Sequence, residues 1–250
     1  MRRDDLTAWL DDFLKINDFP DISLNGLQVE GAEEVKRIAV AVDGVQATFD
    51  DAVAAGVDML IVHHGLFWGR PLAVKGHVKK RIKTLLDAGI SLYAAHIPLD
   101  AHPEVGNNAV LARELGMSDL APFGEFQGVK IGFKGGFPAG TTLHDIADRL
   151  GQLTGMQSLV HQGGEDLVAS GGIVSGAAAW TLVEAAAEGL DVFITGEPKH
   201  EVFHETFERR MNVIYAGHYD TETFGVKALA ERLAAEFDLD WTFFDRPTGL

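Results

Sequence analysis

The chain has 250 residues, 21 Lys and Arg against 37 Asp and Glu for a formal net charge of −16, no Cys, and 46% apolar residues. That length accommodates one large domain or two of about 100–150 residues each, and the apolar content excludes a disordered polypeptide. The acidic balance argues against a protein that grips nucleic-acid backbones, which requires clustered Lys and Arg. Without Cys there is no disulfide, thiolate ligand, iron–sulfur cluster or Cys nucleophile, so any metal must be held by nitrogen and oxygen. The opening MRRDDLTAWL lacks the apolar segment of a signal peptide. The most apolar stretch, 171–187, is broken by Ser175, Gly176, Thr181 and Glu184 and falls short of the ~20 residues of a membrane span. A soluble, cytoplasmic protein with no membrane partner is expected.

Short runs rich in Val and Ile alternate with helical patterns along the chain. Asn25-Gly26, within SLNGLQV, reads as a tight hairpin turn. Strands are expected at 37–43, 57–62 and 90–96, with helices at 47–55, 78–87 and 106–115; Gly56 and Gly89 stop the first two helices. Strands of this length interleaved with helices of about ten residues indicate an α/β protein built from βαβ units. The pattern then repeats. AVAAGVDMLIVHHG from Ala52 lines up with AAAEGLDVFITGE from Ala185 at a constant spacing of 133, placing Gly56 on Gly189, Asp58 on Asp191 and Ile61 on Ile194. LYAAHIPLD from Leu92 matches IYAGHYDTE from Ile214 at a spacing of 122, placing His96 on His218 and Asp100 on Glu222. Two similar α/β lobes from an internal duplication follow, at 1–125 and 126–250, with the C-terminal part packing back on the first. The segment 128–162 has no counterpart. It reads strand, Gly-rich turn, helix, strand, with Thr142 and Asp145 as an imperfect capping box.

Three strand ends offer ligand chemistry. His63 and His64 close the second strand before Gly65, and neighbouring side chains on a strand point to opposite faces. They converge only where the chain turns, and even there they splay, which suits one imidazole on each of two metals. His96 and Asp100 lie in HIPLD, read as a loop because Pro98 pushes Ile97 out of helical geometry. His218 and Glu222 share a face if a helix begins at His218. Imidazole with carboxylate and no thiolate suits Zn, Mn, Fe or Co, and a carboxylate such as Asp100 or Glu222 can bridge two ions about 3.5–4 Å apart.

A rival motif, His200-Glu201-Val202-Phe203-His204, has the HExxH pattern of zinc proteases, which needs both His on one helical face. Against it, Phe203 and Phe207 supply the apolar face, leaving both His on the exposed side, and a strand follows where such proteases use a second helix. Ser175 lacks the Gly two residues earlier that a nucleophile elbow requires.

Together NGLQVEG from Asn25, VHHGLFW from Val62, HIPLDAHPEVGNN from His96, ITGEPKHE from Ile194 and AGHYDTETFG from Ala216 resemble, in order across 25–225, the Nif-three-like dinuclear metal-centre hexameric proteins, labelled type 2 GTP cyclohydrolase I homologues. The resemblance implies two interlocked α/β lobes with a two-metal site in the cleft between them, and a toroidal homohexamer. It implies His63, His64, Asp100, His218 and Glu222 as ligands of two divalent ions per chain, Zn, Fe, Mn or Co. His96 beside the site and Glu197 near the cleft are then the candidate general acid and base. The activity implied is metal-dependent hydrolysis of a small phosphorylated or heterocyclic substrate, GTP being the named candidate, with a hydroxide held by both metals attacking purine C8 or a phosphoester. The alternative is a metal-binding or regulatory protein without turnover.

Overall fold

The Val- and Ile-rich runs form the central strands of two sheets in the computed structural model, which describes all 250 residues. From the N-terminus come α1 (Arg3–Leu14), β1 (Gly26–Val29), β2 (Arg37–Asp43), α2 (Gln46–Ala55), β3 (Met59–His64), α3 (Gly76–Ala88) and β4 (Ser91–Ala94). A single helical turn, α4 (Ile97–Asp100), and α5 (Asn107–Glu114) lead to β5 (Ser118–Phe126), β6 (Val129–Gly136), α6 (Leu143–Thr154), β7 (Leu159–Gln162) and β8 (Ser170–Ile173). Next are α7 (Leu182–Ala187), β9 (Val192–Thr195), α8 (Phe203–Glu208), β10 (Asn212–Tyr215), α9 (His218–Thr221), α10 (Thr223–Phe237) and β11 (Asp240–Phe243). No helix is long and apolar enough to cross a membrane.

The first compact unit comprises Met1–Leu99 and Val226–Arg246. Its sheet has the order β1-β4-β3-β2-β11, with β4, β3, β2 and β11 parallel and β1 antiparallel to β4. Ile38 through Val42 of β2 are all buried. Such uninterrupted burial is what a parallel strand covered on both faces requires, and it explains why IAVAV carries no polar alternation. Phe49 of α2 and Leu85 of α3 pack against Ala39, Leu60, Val62 and Leu92, and each fully buried large side chain contributes roughly 1.5–3 kcal/mol.

The second unit comprises Asp100–Gly225 and Pro247–Leu250. Its six strands run β5-β6-β8-β9-β10-β7, with β8, β9 and β10 parallel and β6 and β7 antiparallel to their neighbours. Leu143, Ile146 and Leu150 of α6 pack on Ile173, Val192, Ile194 and Ile214. The capping box at the start of α6 is complete: Thr142 accepts from the Asp145 amide, and the Asp145 carboxylate accepts from the Thr142 amide.

The duplication extends to hydrogen bonding. Asp58 accepts through Oδ2 from the amides of Lys36 and Arg37, at 2.8 and 2.9 Å. Asp191, at the equivalent position, accepts through Oδ2 from the amides of Ala169 and Ser170, both at 2.9 Å. In each unit this carboxylate ties the start of the first parallel strand to the loop before the second. Gly56 and Gly189 close the preceding helices at φ 62° and 74°, a left-handed conformation that costs an L side chain about 1–2 kcal/mol.

Two local expectations are corrected. Asn25-Gly26 makes no hairpin turn: Gly26 opens β1 against β4, and the Asn25 side chain is spent on the His96 amide. The HIPLD segment is a helical turn and not a loop, because Pro98 falls in the first turn, where a missing N–H costs nothing. The Ile97 amide meanwhile donates to Asp21.

Asp58→Ala and Asp191→Ala each strip two backbone amides of a charged acceptor. Each variant is expected to lose about 1 kcal/mol, read as a lower urea midpoint at unchanged slope. A loss in one variant only would contradict the equivalence of the two positions.

Candidate functional site

In the first unit, polar side chains collect at the carboxyl ends of the parallel strands, where open α/β sheets place their ligands. Asp43 ends β2, His63 and His64 end β3, and His96 follows β4. The ligand atoms of His63, His64 and His96 all lie within 4.8 Å of one another, with ring centroids 4.7 to 5.6 Å apart. Gly65 lets β3 end here: a Cβ at that position would fall 2.4 Å from the Gln28 side chain and 2.7 Å from Ala94.

Each ring is fixed through Nδ1. His63, fully buried, meets the Ala95 carbonyl at 2.9 Å. His64 meets Asp43 Oδ1 at 2.9 Å, the residue paired with it across the β2–β3 register. His96 meets both oxygens of Asp21 at 3.0 and 3.1 Å. Asp21 also accepts from the Ser23 and Ile97 amides and the Asn25 side chain. Burial alone would raise its pKa; His96, the Ser23 amide and the Asn25 side chain outweigh that and bring it down to about 2. An imidazole that donates Nδ1–H to an oxygen carries its lone pair on Nε2, the arrangement found behind metal-ligating histidines.

The second unit repeats the device. Ser175 and Gly176 follow β8, Glu197 follows β9, and His218 follows β10 and opens the one-turn helix α9. His218 Nδ1 meets Glu197 Oε1 at 2.5 Å, and its Nε2 meets Glu222 Oε1 at 3.1 Å, as expected for an i,i+4 pair. Burial disfavours the imidazolium, but Glu222 and then Glu197 outweigh it and raise the His218 pKa to about 9. The pair thus calls for positive charge at Nε2, and a divalent ion bound there would replace the proton.

Asp100 is buried, its Oδ1 accepting from the Asn107 side chain at 2.8 Å and the Ser175 hydroxyl at 3.0 Å. The residue after Ser175, Gly176 at φ +64°, faces Glu222: a Cβ there would lie 2.4 Å from Glu222 Oε1 and 3.3 Å from His218 Nε2. Backbone without a side chain therefore borders this carboxylate and imidazole. Buried Asn108 completes the support, accepting from the Ser175 amide and donating to the carbonyls of Asp100 and Ile131. Nitrogen and oxygen donors, oriented imidazoles and a side-chain-free border together fit divalent metal ions.

The rival motif loses its premise. His200–Val202 is a 3-10 turn and α8 begins only at Phe203, so His200 and His204, both exposed, do not share one α-helical face. Sequence reasoning missed Asp21, Asn25, Asp43, Asn107 and Asn108 as supports of the imidazoles and of Asp100. Ser175, considered only as a nucleophile, instead donates to Asp100.

Fold and side-chain groups define a duplicated α/β protein with candidate His and carboxylate metal-binding groups at its strand ends. The family Duf34/NIF3 (NGG1p interacting factor 3) matches residues 1–248, and the chain belongs to that family. A Deinococcus radiodurans protein named GTP cyclohydrolase 1 type 2 homolog is 53% identical over 248 residues, covering 99% of this chain and 94% of its own. One of the same name from Archaeoglobus fulgidus is 47% identical, covering 98% of each chain. Among solved structures, TTHA1606 from Thermus thermophilus is 58% identical with a TM-score of 0.93, both chains being covered in full.

Gly176→Ala should push Glu222 away from His218 and weaken metal binding at least about tenfold, with a Tm drop of about 2–4 °C from the strained φ. Competition against a chelator measures the first effect and calorimetry the second. Unchanged metal affinity would contradict the border role given to Gly176.

Proposed function

We propose that the chain is a two-metal hydrolase of a small phosphorylated or heterocyclic substrate, with GTP the first candidate. The observation that carries the reading is the common orientation of four imidazoles, each held at Nδ1 by an oxygen so that Nε2 carries the lone pair or, in His218, a proton shared with Glu222. On this reading His63, His64, Asp100, His218 and Glu222 are the side chains that would hold the ions. When bound, two divalent ions lower the pKa of water toward neutrality and polarise the bond under attack.

The rest of the work falls to the chain. Asn107 and Ser175 fix the plane of the Asp100 carboxylate. Glu197 orients His218 and balances its charge. His96 is the proton-transfer group: Asp21 holds its Nδ1, which leaves Nε2 to take up and give back a proton. In a cyclohydrolase reaction that proton comes from the attacking water and is then passed to a purine ring nitrogen as the C8 bond opens. The names borne by the relatives from Deinococcus radiodurans and Archaeoglobus fulgidus support trying GTP first. The proposal includes a cytoplasmic location and the homohexamer that the sequence resemblance implies.

Asp100→Asn keeps the packing and removes the charge. It should lower metal content and abolish opening of the GTP imidazole ring, followed as loss of purine absorbance, and cleavage of phosphoesters. Turnover that survives complete metal removal would overturn the hydrolase reading. Two tightly bound ions with no turnover of any substrate would instead assign the chain to metal binding without catalysis.

A further inference from the structure

The first unit contains a pocket of about 340 Å³ beside the histidines, lined by Asp43, Gly44, Val45, His64, Trp68 and Arg81 together with Gly65. That volume is at the small end of ligand sites. One wall is the turn from β2 into α2: the Gly44 amide donates to the His64 carbonyl at 2.7 Å, so the ends of β2 and β3 are locked together. Trp68 is held by its indole N–H, which donates to the Gly65 carbonyl at 3.0 Å, and its ring packs edge-on against His96.

The remaining wall is α3. Gln46 at the start of α2 donates to Thr84 at 3.0 Å. This fixes the face of α3 that turns toward α2, and Arg81, three residues earlier, lies on that same face. Arg81 is half-buried, and its guanidinium makes no hydrogen bond or ion pair within the chain. Its neighbour Lys83 pairs with Asp87. Arg81 thus lines the pocket with no carboxylate partner in the chain. The one acid in the pocket wall, Asp43, is committed to His64 Nδ1. A guanidinium offers a planar fork of donors that matches phosphate oxygens in a bidentate way.

We propose that this pocket is the phosphate subsite of the chain's substrate and that Arg81 grips the phosphate, which places the phosphoryl end of a nucleotide or other phosphate monoester beside His64. The inference deepens the hydrolase reading and rests on it for the word substrate; its test is a binding measurement that needs no turnover. Arg81 is then a specificity determinant and not a catalytic residue.

The test compares binding of GMP and guanosine to the full-length protein as purified, by isothermal titration, for the parent, Arg81→Lys and Arg81→Ala. The parent should prefer GMP by at least about tenfold, the effect of one hydrogen bond to a charged group. Arg81→Ala should bind both alike, with guanosine affinity, metal content and Tm unchanged, since the Arg81 guanidinium has no hydrogen-bond or ion-pair partner in the chain to lose. Arg81→Lys should recover part of the preference, because it keeps the charge and loses the fork. A preference for GMP that survives Arg81→Ala, or no GMP binding up to millimolar concentration, overturns the assignment. The two readings fail separately. An Arg81-dependent preference without turnover leaves the subsite and removes the hydrolase, and turnover with an Arg81-independent preference does the reverse.

Discussion

The ligand groups of both units depend on pinning imidazoles from behind. A histidine rotates about two bonds and has two usable nitrogens, so an unsupported ring presents a mixture of orientations and tautomers. Here His63, His64, His96 and His218 each have Nδ1 against an oxygen, supplied by the Ala95 carbonyl, Asp43, Asp21 and Glu197. A carbonyl supports a neutral ligand, whereas a carboxylate also stabilises added positive charge, whether a proton or a metal ion. His218, with carboxylates on both nitrogens, is the most strongly biased of the four.

The scaffold makes this pinning possible through the parallel strands. At the carboxyl end of three adjacent strands, side chains and carbonyls emerge side by side at strand spacing, so an acceptor on one strand reaches a ring on the next. Asp43 and His64 do this across β2 and β3, and Glu197 and His218 across β9 and β10. Close approach of backbone is the second requirement. At Gly196 a Cβ would fall 2.6 Å from the Gly176 carbonyl and 2.7 Å from His218 Cα, so any side chain there would push apart the turns that carry Glu197 and His218. The glycines of VHHG and TGE are therefore part of the geometry of their own units' ligand groups, although they carry no chemistry.

Much of this is legible in the sequence because it is periodic or local. The Val and Ile runs mark the parallel strands, the spacing of 133 pairs Asp58 with Asp191, and the i,i+4 spacing places His218 with Glu222. What escapes reading is the long-range polar support. Asp21 stands in a segment with no apolar periodicity, and its role arises only where the chain folds 75 residues on to His96. Asn25 looks like a turn residue because Asn-Gly favours turns, yet its side chain is needed for the His96 backbone. The HIPLD turn misleads because Pro98 falls in the first turn of a helix, where its missing N–H costs nothing, and the Ile97 amide is satisfied by Asp21 from far away in the sequence. HExxH is a false pattern: its spacing fits a helix, but the helix starts three residues too late.

The central claim is that the grouped imidazoles and carboxylates exist to hold metal. Elemental analysis of the protein, purified without chelator and without metal-affinity resin, tests it most directly. The account predicts about two divalent ions per chain, falling in His63→Ala and His218→Ala and unchanged in His204→Ala. Protein that carries no metal even after reloading, or one ion that survives His63→Ala and is lost in His204→Ala, would contradict it.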